Sequence, residues 1–140
     1  MSILAAPLLS LVAVGVHYEA LVFASAFVKR VAGPARVGVA LGVVLALAAH
    51  MIEVLLYAAA WLALINAGAV ELNVPAPSPI DAVYFSGSVY TSLGFGDIVP
   101  VRGGQILVVA EAVTGLVLIA WTASFTFFEM RAHWETRRRS

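Results

Sequence analysis

The sequence has no cysteine, which excludes disulfides and thiolate metal sites and leaves the redox compartment unread. Charge is almost as scarce. Charged residues make up 11% of the 140 residues, against roughly a quarter in ordinary soluble domains. Hydrophobic residues make up 62%, more apolar surface than a soluble fold of this length can hide. No helix carries repeating arginines, which excludes a voltage sensor of that kind, and no ligand-binding domain is read after the last apolar run. There is no basic block in front of the first apolar run either. Lys29 and Arg30 follow it, and His17, Tyr18 and Glu19 interrupt it, so it reads as a retained segment and not a cleaved signal.

What is present is three runs long enough to cross a bilayer, which takes about 20 apolar residues in a helix. They lie at about Ile3 to Val28, Val37 to Ala67 and Gln105 to Met130. Basic residues near span ends mark the cytoplasmic side. Lys29, Arg30 and Arg36 separate the first two runs, and Arg131, Arg137, Arg138 and Arg139 follow the third. Both clusters fall inside if two crossings separate them. The N-terminus is then outside, the C-terminus cytoplasmic, and the stretch from Gly68 to Gly104 begins and ends outside.

That stretch changes character along its length. Pro75, Pro77 and Pro79 at alternate positions favour extended backbone, the reading for a turret at residues 68–78. Ser78 then suits an N-cap, Pro79 the first helical position, and Asp81 the acidic partner three residues on. A short apolar helix from about Pro79 to Thr91 is predicted, too short to span and therefore re-entrant. After it comes Thr91-Ser92-Leu93-Gly94-Phe95-Gly96-Asp97. Irregular backbone at membrane depth is tolerated only where it is buried in protein or lines a watery path. Gly94 and Gly96 can take positive φ, so successive carbonyls can face the same way while Leu93 and Phe95 pack outward.

Thr91 to Asp97 resembles the filter signature Thr-Thr-Val-Gly-Tyr-Gly-Asp of potassium channels, whose carbonyl rings replace the hydration shell of the ion. The resemblance covers about Val37 to Met130 and is similar to the bacterial two-transmembrane pore family, with one additional N-terminal helix. It implies an all-α membrane protein in which outer helix, pore helix, extended filter and inner helix form one quarter of a homotetrameric pore. The implied division is an additional helix at residues 1–33, a pore module at 34–131 and a short basic cytoplasmic tail at 132–140. Potassium is expected at Ser92, Leu93, Gly94 and Phe95, as permeant ion and not as cofactor. Ser92, Leu93 and Phe95 depart from the commonest filter. In the family the filter tyrosine meets an aromatic of the pore helix, and the matching position here is Phe85; a carboxylate often found on the pore helix is replaced by Ser88. Tyr84, Phe85, Ser88 and Glu111 are the candidate filter supports.

Further candidates follow from position along the third run. Gly115 is read either as an inner-helix hinge or as a small residue for close packing. Ile119, Thr122 and Thr126 are candidate cavity-lining residues. His17, Glu19, His50 and Glu53 are ionisable groups inside spans, which default to functional hypotheses. Counting about 1.5 Å of rise per residue from the cytoplasmic ends brings His17 level with His50. The cluster is read as helix-docking glue, or as a pH sensor; a metal site is disfavoured because no third ligand is evident. The basic tail with Trp134 suits interfacial anchoring and anionic lipid headgroups. The function expected is passive potassium conduction in a cell membrane of bacterial inner-membrane type. A weakly selective cation channel and a non-conducting accessory subunit are the alternatives. No enzyme activity and no nucleic-acid partner are expected.

Overall fold

A computed structural model describes residues 2–30 and 35–138, with side chains described for 5–30 and 37–131. Arg36, Trp134, Arg137 and Arg138 therefore have no described side chains, and Arg139 lies outside the described residues, as does all but the helical backbone of the tail. Four helices carry the fold: α1 (Ser2–Arg30), α2 (Ala35–Asn66), α3 (Pro79–Tyr90) and α4 (Gln105–Arg138). Within α1, α2 and α4 the stretches Ala5–Arg30, Val37–Asn66 and Gln105–Arg131 are long and apolar enough to cross a membrane. α3 is not.

The register between helices follows from their side-chain bonds. Ser10, His17 and Ser25 of α1 meet Thr114, Thr122 and Glu129 of α4 in ascending order, so the two run parallel. The same α1 residues meet α2 in descending order, Ser10 to Tyr57 and His17 to Glu53, so that pair is antiparallel. Lys29, Arg30 and Arg131 thus share one end of the bundle. Ser10, His17 and Ser25 stand seven and eight residues apart, about two helical turns each, and form one stripe. Buried Ala6, Ala13 and Ala24 on that face let α1 approach closely.

α3 begins as its sequence predicts. Ser78 caps it, with the Asp81 amide donating to Ser78 Oγ (3.2 Å) and the Ser78 amide donating to Asp81 Oδ2 (2.8 Å). The helix descends against α2 and α4, burying Ala82, Phe85, Ser86, Val89 and Tyr90. The turret holds one feature not read from the sequence. β1 (Glu71–Leu72) pairs antiparallel with β2 (Pro100–Arg102), pinning the two ends of the outer stretch together. Arg102 bridges to Glu71 across this ribbon (3.4 Å), so this basic residue carries its own counter-charge.

The core lies where α2, α3 and α4 meet. Trp61, Tyr57, Tyr90, Leu107 and Leu118 are fully buried there. Among the described residues every buried side-chain nitrogen and oxygen has a hydrogen-bond partner.

Candidate ion-conducting site

The segment after α3 is built on an alternating backbone. Ser92, Gly94 and Gly96 have φ of +57°, +57° and +77°, whereas Leu93, Phe95 and Asp97 stay at negative φ. The sequence points to the two glycines; Ser92 is the unexpected third. A positive φ costs an L-residue roughly 1–2 kcal/mol, so Ser92 holds local strain. Nothing lies within 4 Å of where a Cβ would stand on Gly94 or Gly96. Backbone conformation, and not crowding within the chain, requires glycine there.

This backbone is suspended from two sides. On the inner side Ser88 receives the Gly94 amide on its carbonyl (3.2 Å) and the Phe95 amide on its Oγ (3.3 Å). The Thr91 hydroxyl donates to the Gly87 carbonyl (2.7 Å), closing the last turn of α3. On the outer side Asn73 donates to the Asp97 carbonyl (2.8 Å) and accepts the Val99 amide (2.9 Å). Tyr84 lies parallel to Phe95 with centroids 6.0 Å apart, and its hydroxyl donates to Asp97 Oδ2 (2.8 Å). That bond holds the Asp97 carboxyl below the usual carboxylate range and pushes the Tyr84 phenol up. Ser78 likewise holds Asp81 down. Ionised Asp97 and Asp81 make their end of the segment negative, and the C-terminal end of the α3 dipole makes the other end negative, so both favour a cation.

The candidate supports separate into two groups. Tyr84 and Ser88 touch the 91–97 segment. Phe85 and Glu111 do not. Phe85 is turned away from Phe95 and packs edge-on against Trp61, centroids 5.0 Å apart, because it sits on the buried face of α3. Glu111 is buried behind α3, where it accepts from the Trp61 indole (2.7 Å) and from the Ser86 hydroxyl (2.6 Å). It holds α3 and reaches the 91–97 segment only through that helix. Gly115 meets the end of α3 directly. A Cβ there would be driven into the Tyr90 carbonyl and would stand 2.8 Å from the Tyr90 carbonyl carbon and 3.0 Å from its ring. α4 runs unbroken through this position, which favours the close-packing reading.

Helix rotation redistributes the cavity candidates. Ile119 lies on the open face of α4, 39% exposed in the single chain. Thr122 faces inward instead and lies 2.9 Å from His50 Nε2 and 3.3 Å from His17 Nε2. Thr126 faces a small cleft beside Ser25, Gly38 and Gly42. The reason is that α1 docks on α4 along Thr114, Thr122 and Glu129, which buries that face between helices of the same chain.

Of the intramembrane ionisable residues, His17, His50 and Glu53 come together and Glu19 does not. Glu19 stands about 200° round α1 from His17, on an exposed face. His17 Nδ1 lies 2.8 Å from Glu53 Oε1, and His50 Nδ1 lies 3.2 Å from Glu53 Oε2 and 2.8 Å from the Tyr90 hydroxyl. Tyr90, whose hydroxyl donates to Glu53, is the member that the sequence reading missed. His17, His50 and Glu53 each offer one donor atom within 4.8 Å of the others. The signal for the wider network was nonetheless in the spacing. Glu53, Tyr57 and Trp61 recur at four-residue steps on α2, as one polar-capable helix face requires.

Comparison with known proteins bears on the same region. A family model described as "Ion channel" matches residues 41–130. Protein LctB of Bacillus caldotenax is 35% identical over 49 residues, which is 35% of this chain and 37% of that protein. The match thus spans little more than a third of the relative's length. No solved structure matches the chain at a significant level.

Proposed function

This chain belongs to the ion channel family, in its two-transmembrane pore branch, and from that premise we propose that it is one subunit of a potassium-selective homotetramer. The observation that carries the reading is the alternating backbone of Ser92, Gly94 and Gly96 immediately beyond the end of the pore helix. Four such strands around an axis present the carbonyls of Ser92, Leu93, Gly94 and Phe95 as stacked rings, with the Ser92 hydroxyl at the inner end. A single strand encloses nothing, so a closed cyclic assembly is required. The single chain fits that need. Leu93 and Phe95 are 61% and 62% exposed, and Ile106, Val109, Val113, Leu116 and Val117 leave an apolar stripe open along α4. Neighbouring subunits cover these surfaces, and lipid covers the rest.

In this reading α2, α3 and α4 form the pore module, α1 is an added helix braced on its own subunit, and Tyr84 and Ser88 hold the filter. The N-terminus lies outside a cell membrane and the basic tail faces the cytoplasm, where anionic headgroups meet it. Potassium passes down its gradient because the rings replace its water and the four helix dipoles lower its energy beneath them.

The test is the reversal potential of protein reconstituted in planar bilayers under a potassium/sodium gradient. Wild type reverses near the potassium potential. Gly94→Ala loses selective conduction while still inserting, since the added Cβ penalises the positive φ and touches no spanning helix. A wild-type reversal near zero demotes the protein to an unselective cation channel, and absence of current to an accessory subunit.

A further inference from the structure

At the centre of the bundle a closed ring of side chains joins all four helices. It runs from His17 of α1 to Glu53 and His50 of α2, on to Thr122 of α4, and back to His17; Tyr90 of α3 bonds to both Glu53 and His50. His17 and Glu53 are fully buried, and His50 is 15% exposed at its side chain.

The hydrogens of this ring can be counted. Tyr90 has one, which it donates to Glu53 Oε2 and can share with His50 Nδ1. With Glu53 ionised, His17 Nδ1 must carry hydrogen to bond Oε1, and His50 Nδ1 must carry hydrogen to bond Oε2 and the Tyr90 oxygen. Two neutral imidazoles then have two bare Nε2 atoms, both aimed at Thr122 Oγ1. Thr122 has one hydrogen and can satisfy one of them. Turning His17 to its other tautomer leaves a bare Nδ1 facing a bare carboxylate oxygen; turning His50 lets Tyr90 donate to its Nδ1 but leaves the contact between that Nδ1 and Glu53 Oε2 without a hydrogen. Giving a hydrogen to all six contacts therefore takes one proton beyond Glu53 carboxylate plus two neutral histidines.

We infer that the ring is a single-proton site, shared between the two imidazoles and the Glu53 carboxylate, through which pH acts on the pore helix. The charge balance supports a proton over a divalent metal. One proton with Glu53 carboxylate is neutral, as an apolar interior demands, whereas a divalent cation with the same ligands leaves a net positive charge. A metal would also displace the bonds that complete the ring. Among the described residues the groups facing it are His17 from α1, His50 and Glu53 from α2, Tyr90 from α3, and from α4 the neutral Thr122 and the Trp121 ring, 5.5 Å from that of His17. Tyr57 and Glu111 stand outside the ring, engaged with Ser10 and with Trp61 and Ser86.

The consequence for the pore follows from position. Tyr90 is the last residue of α3 and precedes Thr91. Removing the proton leaves one contact of the buried ring without a hydrogen, so the packed arrangement is favoured when protonated and weakens as pH rises. In Glu53→Gln the amide supplies both an acceptor and a donor, so the ring closes without the extra proton.

Two measurements test this, and the first does not depend on the channel reading, on which the second rests. The chain has three histidines, so His133→Gln leaves the two of interest. Solid-state NMR of that protein in lipid at pH 7 reads the ¹⁵N shifts of His17 and His50 and the ¹³C carboxyl shift of Glu53. Either an imidazolium or a protonated Glu53 is expected. Two neutral imidazoles beside an ionised Glu53 overturn the proposal, as does zinc retained at one per chain after chelation. In bilayers, potassium current of wild type should fall with rising pH, the protonated-to-deprotonated ratio changing about tenfold per pH unit, and Glu53→Gln should flatten that dependence. The same pH dependence in wild type and Glu53→Gln overturns the link to the pore. Loss of potassium selectivity with the NMR result intact instead faults the channel reading.

Discussion

Gly115→Ala separates a hinge from a packing contact. Replacing glycine by alanine inside a helix stabilises it by about 1 kcal/mol through backbone entropy, if the methyl has room. At Gly115 it has none. The Cβ would stand 2.8 Å from the Tyr90 carbonyl carbon and closer still to its oxygen, both backbone atoms that cannot rotate away. One helix must shift by roughly half an ångström to restore ordinary contact, and overpacking of this kind costs about 1–3 kcal/mol. Because the obstacle is backbone, the upper end applies, for a net loss of about 2 kcal/mol per subunit. Two other helical glycines serve as controls. A Cβ on Gly42 would meet Val28 at 3.6 Å, an ordinary contact, and one on Gly15 would meet nothing within 4 Å. Gly42→Ala and Gly15→Ala should be neutral or stabilising by up to about 1 kcal/mol. Denaturant unfolding in detergent compares the three. Because the clash falls on the residue before the filter, Gly115→Ala should also shift the reversal potential toward zero. A Gly115→Ala protein as stable as Gly42→Ala, with altered open probability and unchanged selectivity, would refute the packing argument and restore the hinge.

Two further perturbations address the filter. Tyr84→Phe removes the donor that holds Asp97 below the usual carboxylate range. The stabilisation from that bond is present above the ordinary carboxylate pKa and is lost as pH falls through the depressed one, so the variant should lose current at a higher external pH than wild type; coincident acid titrations of current would sink the assignment. Ser92→Gly relieves the positive φ of +57° and should stabilise the assembled protein by about 1 kcal/mol, once the greater entropy of glycine in the unfolded chain is offset against strain. Thermal unfolding of the tetramer checks it, and a destabilised Ser92→Gly would mean that the hydroxyl matters more than the strain.

The sequence determined the elements because each rests on local physics. Spans follow from apolar length, and the start of α3 from Ser78, Pro79 and Asp81 acting within one turn. The need for glycine at positions 94 and 96 was equally local, since a backbone conformation belongs to its own residue. Depth along a helix was legible as well: a fixed rise per residue set His17 level with His50 before any contact was known. What rotation decides was not legible. Thr122 and Thr126 face α1 and α2, and Phe85 faces Trp61, because α1 docks on α4 and α3 buries one side on α2. A uniformly apolar span carries little record of which side meets protein and which meets lipid, as both are greasy. Glu111 showed its cost in the sequence, but its partners Trp61 and Ser86 lie 50 and 25 residues away. Tyr90 looked like one more apolar residue of a short helix; only the packing of four helices around Glu53 made its hydroxyl part of a proton's cage.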